Sequence, residues 1–75
     1  MIRVTNRALS YDSEPRFLNA YTPKVGFGHI SGGIRVYVYS FLGYIFEVNE
    51  DTIHLLHKPE YVERLISNYL SASGV

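Results

Sequence analysis

From position 34 to position 48 the chain is dense in β-branched and aromatic residues, with Arg35, Ser40 and Glu47 the polar exceptions and a single glycine, Gly43, near its middle. β-Branched and aromatic side chains at this density predict two antiparallel strands, or one long strand bent at Gly43. If Leu42 and Gly43 form a two-residue turn, Phe41 opposes Tyr44, Tyr39 opposes Phe46 and Tyr37 opposes Val48. These six side chains then share one face, because side chains alternate along a strand. The other face carries Ile34, Val36, Val38, Ser40, Ile45 and Glu47. Leu-Gly is not the preferred pair for such a turn, which favours Asn or Gly first. A bulge at Gly43 would shift the register instead. In either geometry both faces of the ribbon are apolar, where a half-solvated sheet would alternate.

Downstream, Asn49-Glu50-Asp51 reads as a turn and Thr52-Ile53-His54-Leu55-Leu56 as a third strand. A helix follows from His57-Lys58-Pro59, with Pro59 suited to its first position. Glu60 and Glu63 lie near its start, where the helix dipole favours negative charge. Tyr61, Val62, Leu65, Ile66, Tyr69 and Leu70 make one apolar stripe, with Glu60, Glu63, Arg64, Ser67 and Asn68 opposite. Residues 71–75 read as a frayed tail.

Upstream, Ile2 and Val4 alternate with Arg3 and Thr5, which suits a short edge strand. Ser10-Tyr11-Asp12-Ser13 is turn-like. Ser13 as N-cap, Glu14 and Pro15 in a first turn, and Phe17, Leu18 and Tyr21 at helical spacing predict a helix of one to two turns. An irregular segment lying on the sheet is the alternative. Residues 25–33 hold four glycines and read as a connection, with Phe27 and Ile30 as its anchors or as exposed contacts.

These elements assemble into a single small α+β domain over residues 1–75: a three- or four-stranded antiparallel β-meander with the C-terminal amphipathic helix packed on one face. One helix covers one face of the ribbon. The other is covered either by residues 1–30, through Leu9, Phe17, Leu18, Phe27 and Ile30, or by another molecule.

Size sharpens that question. A domain of 75 residues buries only about 60% of the surface its unfolded chain exposes, so an apolar face left uncovered matters. Charge decides against two partner classes. Lys plus Arg and Asp plus Glu both total seven, whereas phosphate binding wants a basic excess and nucleic-acid mimicry an acidic one. Neutrality also removes the repulsion that keeps copies apart, which favours self-association into a homodimer. The chain has no Cys, hence neither disulfides nor thiolate metal sites. No signal-peptide pattern and no stretch near the ~20 apolar residues of a membrane span is present, so a cytoplasmic protein is expected.

Candidate chemistry is sparse. His54 and His57 form a His-x-x-His pair, but on a strand they would point to opposite faces, and no third ligand accompanies them. Gly26-Phe27-Gly28-His29-Ile30-Ser31 follows a phosphate-loop pattern for three residues and then departs from it. Glu47, Glu50 and Asp51 suit a solvated tip, and no hydroxyl sits in a nucleophile-elbow pattern. No metal, no cofactor and no enzymatic activity are expected.

The order weak helix, three strands, helix resembles the double-stranded-RNA-binding fold in element order. That family places a basic cluster at the start of its last helix, where this chain has Lys58-Pro59-Glu60-Tyr61. A nucleic-acid-binding module of three strands plus helix, using Arg3, Arg7, Arg16, Lys24 and Arg35, is therefore the second reading. The first is a non-enzymatic domain that binds another protein, as an inhibitor or adaptor of the kind small viral or mobile-element genes encode. Its contact surface would be Tyr37, Tyr39, Tyr44 and Phe46 with Phe27 from the glycine-rich loop.

Overall fold

The computed structural model describes residues 1–22 and 34–73. The expectations for residues 25–33, and with them Phe27 and His29, lie outside the described residues.

The 34–48 ribbon folds as the expected hairpin. Strands β3 (Val36–Phe41) and β4 (Tyr44–Val48) pair Phe41 with Tyr44, Tyr39 with Phe46 and Tyr37 with Val48. Leu42 and Gly43 make the turn with φ of 54° and 84°, positive at both positions as a type I′ turn requires. Glycine adopts this conformation freely, while Leu42 pays about 1–2 kcal/mol in steric strain. Its half-buried side chain packs against the core, which offsets part of that cost.

Two further strands complete a four-stranded antiparallel sheet in the order β1-β4-β3-β2. Strand β1 (Ile2–Arg7) is the edge strand expected from its alternation. Strands β2 (Arg16–Tyr21), β3 and β4 run as a meander, and β1 lies on the far side of β4. Residues 8–15 must therefore pass over the hairpin tip. Two backbone hydrogen bonds hold them there: the Ala8 N–H donates to the Gly43 carbonyl at 2.9 Å, and the Leu42 N–H to the Asp12 carbonyl at 2.9 Å.

Strand β2 corrects the expectation of a helix after Ser13. A helix of one to two turns does not sustain itself in water. The edge of β3, by contrast, offers residues 16–21 backbone partners at every position but the bulged Leu18. Phe17 also stacks edge-on against Tyr39, ring centroids 5.6 Å apart at 74°. Tertiary pairing outweighs the local capping signal.

A second correction falls on residues 53–57, which form a 3₁₀ turn (Ile53–His57) rather than a third strand. The Asn49 side-chain oxygen accepts the N–H groups of Asp51 and Thr52 at 3.1 and 3.0 Å, and its backbone carbonyl accepts that of Ile53 at 2.9 Å. This local wrapping turns the chain back over the sheet before it can extend. Leu56 enters the core as a result, 2% exposed.

Helix α1 (Pro59–Ala72) starts with Pro59 in its first turn, as expected. It lies on the face carrying Tyr37, Tyr39, Tyr44 and Phe46, where Val62 joins Phe46, Val48 and Leu56 as the fully buried core. Leu65 and Ile66 pack beside them, and Tyr69 meets the Tyr44 ring at 6.0 Å. Each large side chain buried in this way contributes roughly 1.5–3 kcal/mol. The helix contacts β1 and the 3₁₀ turn. A short link out of β4 keeps it over β4 and its neighbour β1.

Candidate functional site

One row of directly paired residues crosses all four strands on the helix side: Val4, Phe46, Tyr39 and Phe17. Burial along it peaks at Phe46, with Val4 and Tyr39 half-buried on either side. Phe46 is 0% exposed beneath α1, whereas Phe17 is 54% exposed at the β2 edge. The next row, Ile2, Val48, Tyr37 and Ala20, is likewise fully buried at Val48 and half-buried at the other three positions. The reason is dimensional. Strands lie about 4.8 Å apart and a helix with its side chains is about 10 Å across, so one helix covers roughly two strands. The β3–β2 half of the aromatic face lies outside it.

The four described residues of the expected contact surface thus divide into two pairs. Phe46 is enclosed by the core and presents no surface to a partner. Tyr44 is held between Tyr69 and the Arg7 guanidinium, which sits 5.6 Å from its ring centroid. Tyr37 and Tyr39 are half-buried and pack against the border of the same core, toward the β2 edge. Phe17 adjoins them, a residue the helical reading of 16–21 had placed elsewhere. The signal that could have found it was the ribbon itself: an isolated hairpin is marginally stable and needs flanking strands.

The reverse face of the sheet carries aliphatic Val36, Val38 and Ile45 among polar side chains that pair locally. Arg3 on β1 donates from Nε and Nη2 to Glu47 Oε1 on β4 at 3.2 and 3.0 Å. The Tyr21 hydroxyl on β2 donates to the other carboxylate oxygen at 2.6 Å. Since β3 lies between β2 and β4, the Tyr21 ring spans it, and Val36 beneath is 2% exposed. Hydrogen bonding to the Glu47 carboxylate raises the Tyr21 pKa, because ionising the phenol would set two negative charges together. At the other end, the buried Ser40 hydroxyl donates to Asp12, whose carboxylate also lies 3.4 Å from Arg16 Nε. The Ser40 bond, with the Arg16 charge, lowers the Asp12 pKa against the opposing effect of desolvation. Residues 1–21 therefore cover part of this face, as strands and side chains of the same sheet.

The 3₁₀ turn changes the relation between His54 and His57. Residues three apart eclipse in a 3₁₀ helix, so the two exposed imidazoles lie on one side instead of opposite sides. Among the described residues no three His, Cys, Asp or Glu are grouped so as to hold a metal ion. Among them, too, no helix is long and apolar enough to cross a membrane. Of the arginines proposed for phosphate contacts, Arg3 and Arg16 are engaged with carboxylates and Arg7 with an aromatic ring.

Compared with protein families, curated proteins and solved structures, the chain finds no match.

Proposed function

We propose that this chain is a small non-enzymatic domain that binds another protein, as a stoichiometric inhibitor or adaptor. The docking surface is the aromatic strip at the β2 edge, exposed Phe17 with half-buried Tyr39 and Tyr37. The observation that carries this reading is the loss of burial from Phe46 through Tyr39 to Phe17, a large aromatic ring more than half exposed at the β2 edge. Aromatic rings give large contact area at low side-chain entropy cost, and they are enriched among residues that dominate binding energy. The engagement of Arg3, Arg7 and Arg16 within the domain, with zero net charge, weighs against the nucleic-acid reading.

A photo-crosslinking residue in place of Phe17, with one in place of Thr5 on β1 as control, tests this in cells of the source organism. The expected result is one defined protein captured at position 17 and not at position 5, with capture weakened by Tyr39→Ala. Recovery of nucleic acid alone, or equal capture from both positions, contradicts it.

A further inference from the structure

We infer that Asn6 and Asn19 close the two edges of the sheet to strand addition, so that neither a second copy nor an extended segment of another protein pairs with β1 or β2. This goes beyond the docking of a partner at Phe17 and does not depend on it.

The hairpin fixes which backbone groups point away from the sheet. Phe41 and Tyr44 flank its type I′ turn and bond to each other across it. Hydrogen-bonding direction alternates along a strand, so Ser40, Val38 and Val36 turn theirs toward β2, and Ile45 and Glu47 toward β1. Their partners Arg16, Asn19 and Tyr21 on β2, and Arg3 and Asn6 on β1, point inward. Ala20 on β2 and Arg7 on β1 therefore direct their N–H groups outward. On β1 a second observation agrees, since the next N–H, that of Ala8, turns inward to the Gly43 carbonyl.

Both outward N–H groups are already taken. The Arg7 N–H donates to Asn6 Oδ1 and the Ala20 N–H to Asn19 Oδ1, each at 2.8 Å. A strand added at either edge has to break that bond before its own carbonyl finds a donor. It also meets a bulge, because pairing slips by one residue at Thr5 on β1 and at Leu18 on β2. A regular strand matches the faces on one side of the extra residue and opposes them on the other.

The two edges are built alike from different residues. Val4-Thr5-Asn6-Arg7 lies against Phe46, Ile45 and Tyr44, and Phe17-Leu18-Asn19-Ala20 against Tyr39, Val38 and Tyr37. An approximate twofold axis normal to the sheet, between Phe46 and Tyr39, relates the two sites, and asparagine alone recurs in them. Asparagine is depleted in strands because its amide competes for backbone groups. At an edge that competition occupies the group an incoming strand needs. The need is greater on β2, where Phe17, Leu18 and Tyr21 are 54%, 40% and 40% exposed and Arg16 is the one charged residue. Strand β1 has Arg3 and Arg7 as further protection.

Amide exchange and sedimentation equilibrium on asparagine variants test the closure. Asn19→Leu keeps the size of the side chain and removes the acceptor. Asn19→Gln keeps the amide but carries it beyond reach of the neighbouring N–H. Each should tighten self-association at least about tenfold over wild type, with residues 16–21 exchanging more slowly as concentration rises. The same changes at Asn6 should act on residues 2–7, and more weakly. Leucine variants that associate no more than wild type overturn the inference. So does association in Asn19→Leu without Asn19→Gln, since apolarity and not the lost bond would then open the edge. Slowing of either edge with concentration in wild type overturns it as well. If the variants fail to fold, exchange in wild type decides. Corrected for intrinsic rates, the Arg7 and Ala20 amides should exchange more slowly than the outward amides of Val4 and Phe17, and equal rates overturn it.

Discussion

The two halves of one sheet face use similar side chains for different ends. On the β1–β4 half, Val4, Phe46 and Val48 lie under α1 with Val62 and Leu56, and Phe46 and Val48 are fully enclosed. On the β3–β2 half, Tyr39 and Tyr37 continue the same rows half-buried against the border of that core, and Phe17 at the β2 edge is 54% exposed. The aromatic residues do not themselves decide which half is core. The exit from β4 does, since a short link turned by Asn49 and Thr52 returns the helix over β4 and β1. An aromatic strand residue thus becomes core or surface according to its distance from the strand that launches the helix.

The largest expected effect comes from truncating one aromatic on each half. Phe46→Ala should destabilise the fold by about 3–5 kcal/mol in urea unfolding, the cost of a buried phenyl cavity. Phe17→Ala should cost about 1 kcal/mol or less, because it loses one edge-on ring contact and little burial. Similar losses at both positions would break the distinction between the halves.

The hairpin turn is where the two halves join. A Cβ added at Gly43 would stand 3.7 Å from Tyr11, an ordinary contact, so the demand for glycine there is conformational. Gly43→Ala should therefore cost about 1 kcal/mol in thermal or urea unfolding, through its positive φ. An unchanged midpoint would show that the turn relaxes and that the halves are less rigidly coupled.

Smaller effects belong to the reverse face, where side chains tie the halves together. The folded-state pKa of Asp12 is lowered from 3.8, so its contribution is complete above that value and is lost as pH falls through the lower, folded value. Ser40→Ala should flatten this acid limb of the stability profile. Tyr21 is shifted the other way, raised from 10.0, so its contribution is complete below that value and is lost as pH rises through the higher, folded value. Tyr21→Phe should remove the alkaline limb. If both limbs persist in both variants, other groups carry the pH dependence.

Much of this architecture was readable from residue order, and the failures have identifiable causes. The hairpin register followed from alternation around Leu42-Gly43, and α1 from its stripe and Pro59. Strand β2 was misread because Ser13, Glu14 and Pro15 imitate a helix start, while the partner that overrides them lies some twenty residues away on β3. Ile53-His54-Leu55-Leu56 has strand-like composition, but the Asn49 and Thr52 bonds coil the chain before it can extend. Of the residues expected to face a partner, Tyr37 and Tyr39 are half-buried at the border of the core. Both ribbon faces are apolar, so the pattern alone could not say which would take the helix. Phe46 and Tyr44 went beneath it.

Hydroxyl-radical footprinting read by mass spectrometry compares the two halves most directly, in the folded wild-type chain at a concentration that keeps it monomeric. Phe17 should oxidise readily and Phe46 should be protected until the protein unfolds. Equal protection of Phe17 and Phe46 would contradict the account, because the β3–β2 half would then be core rather than a surface for docking.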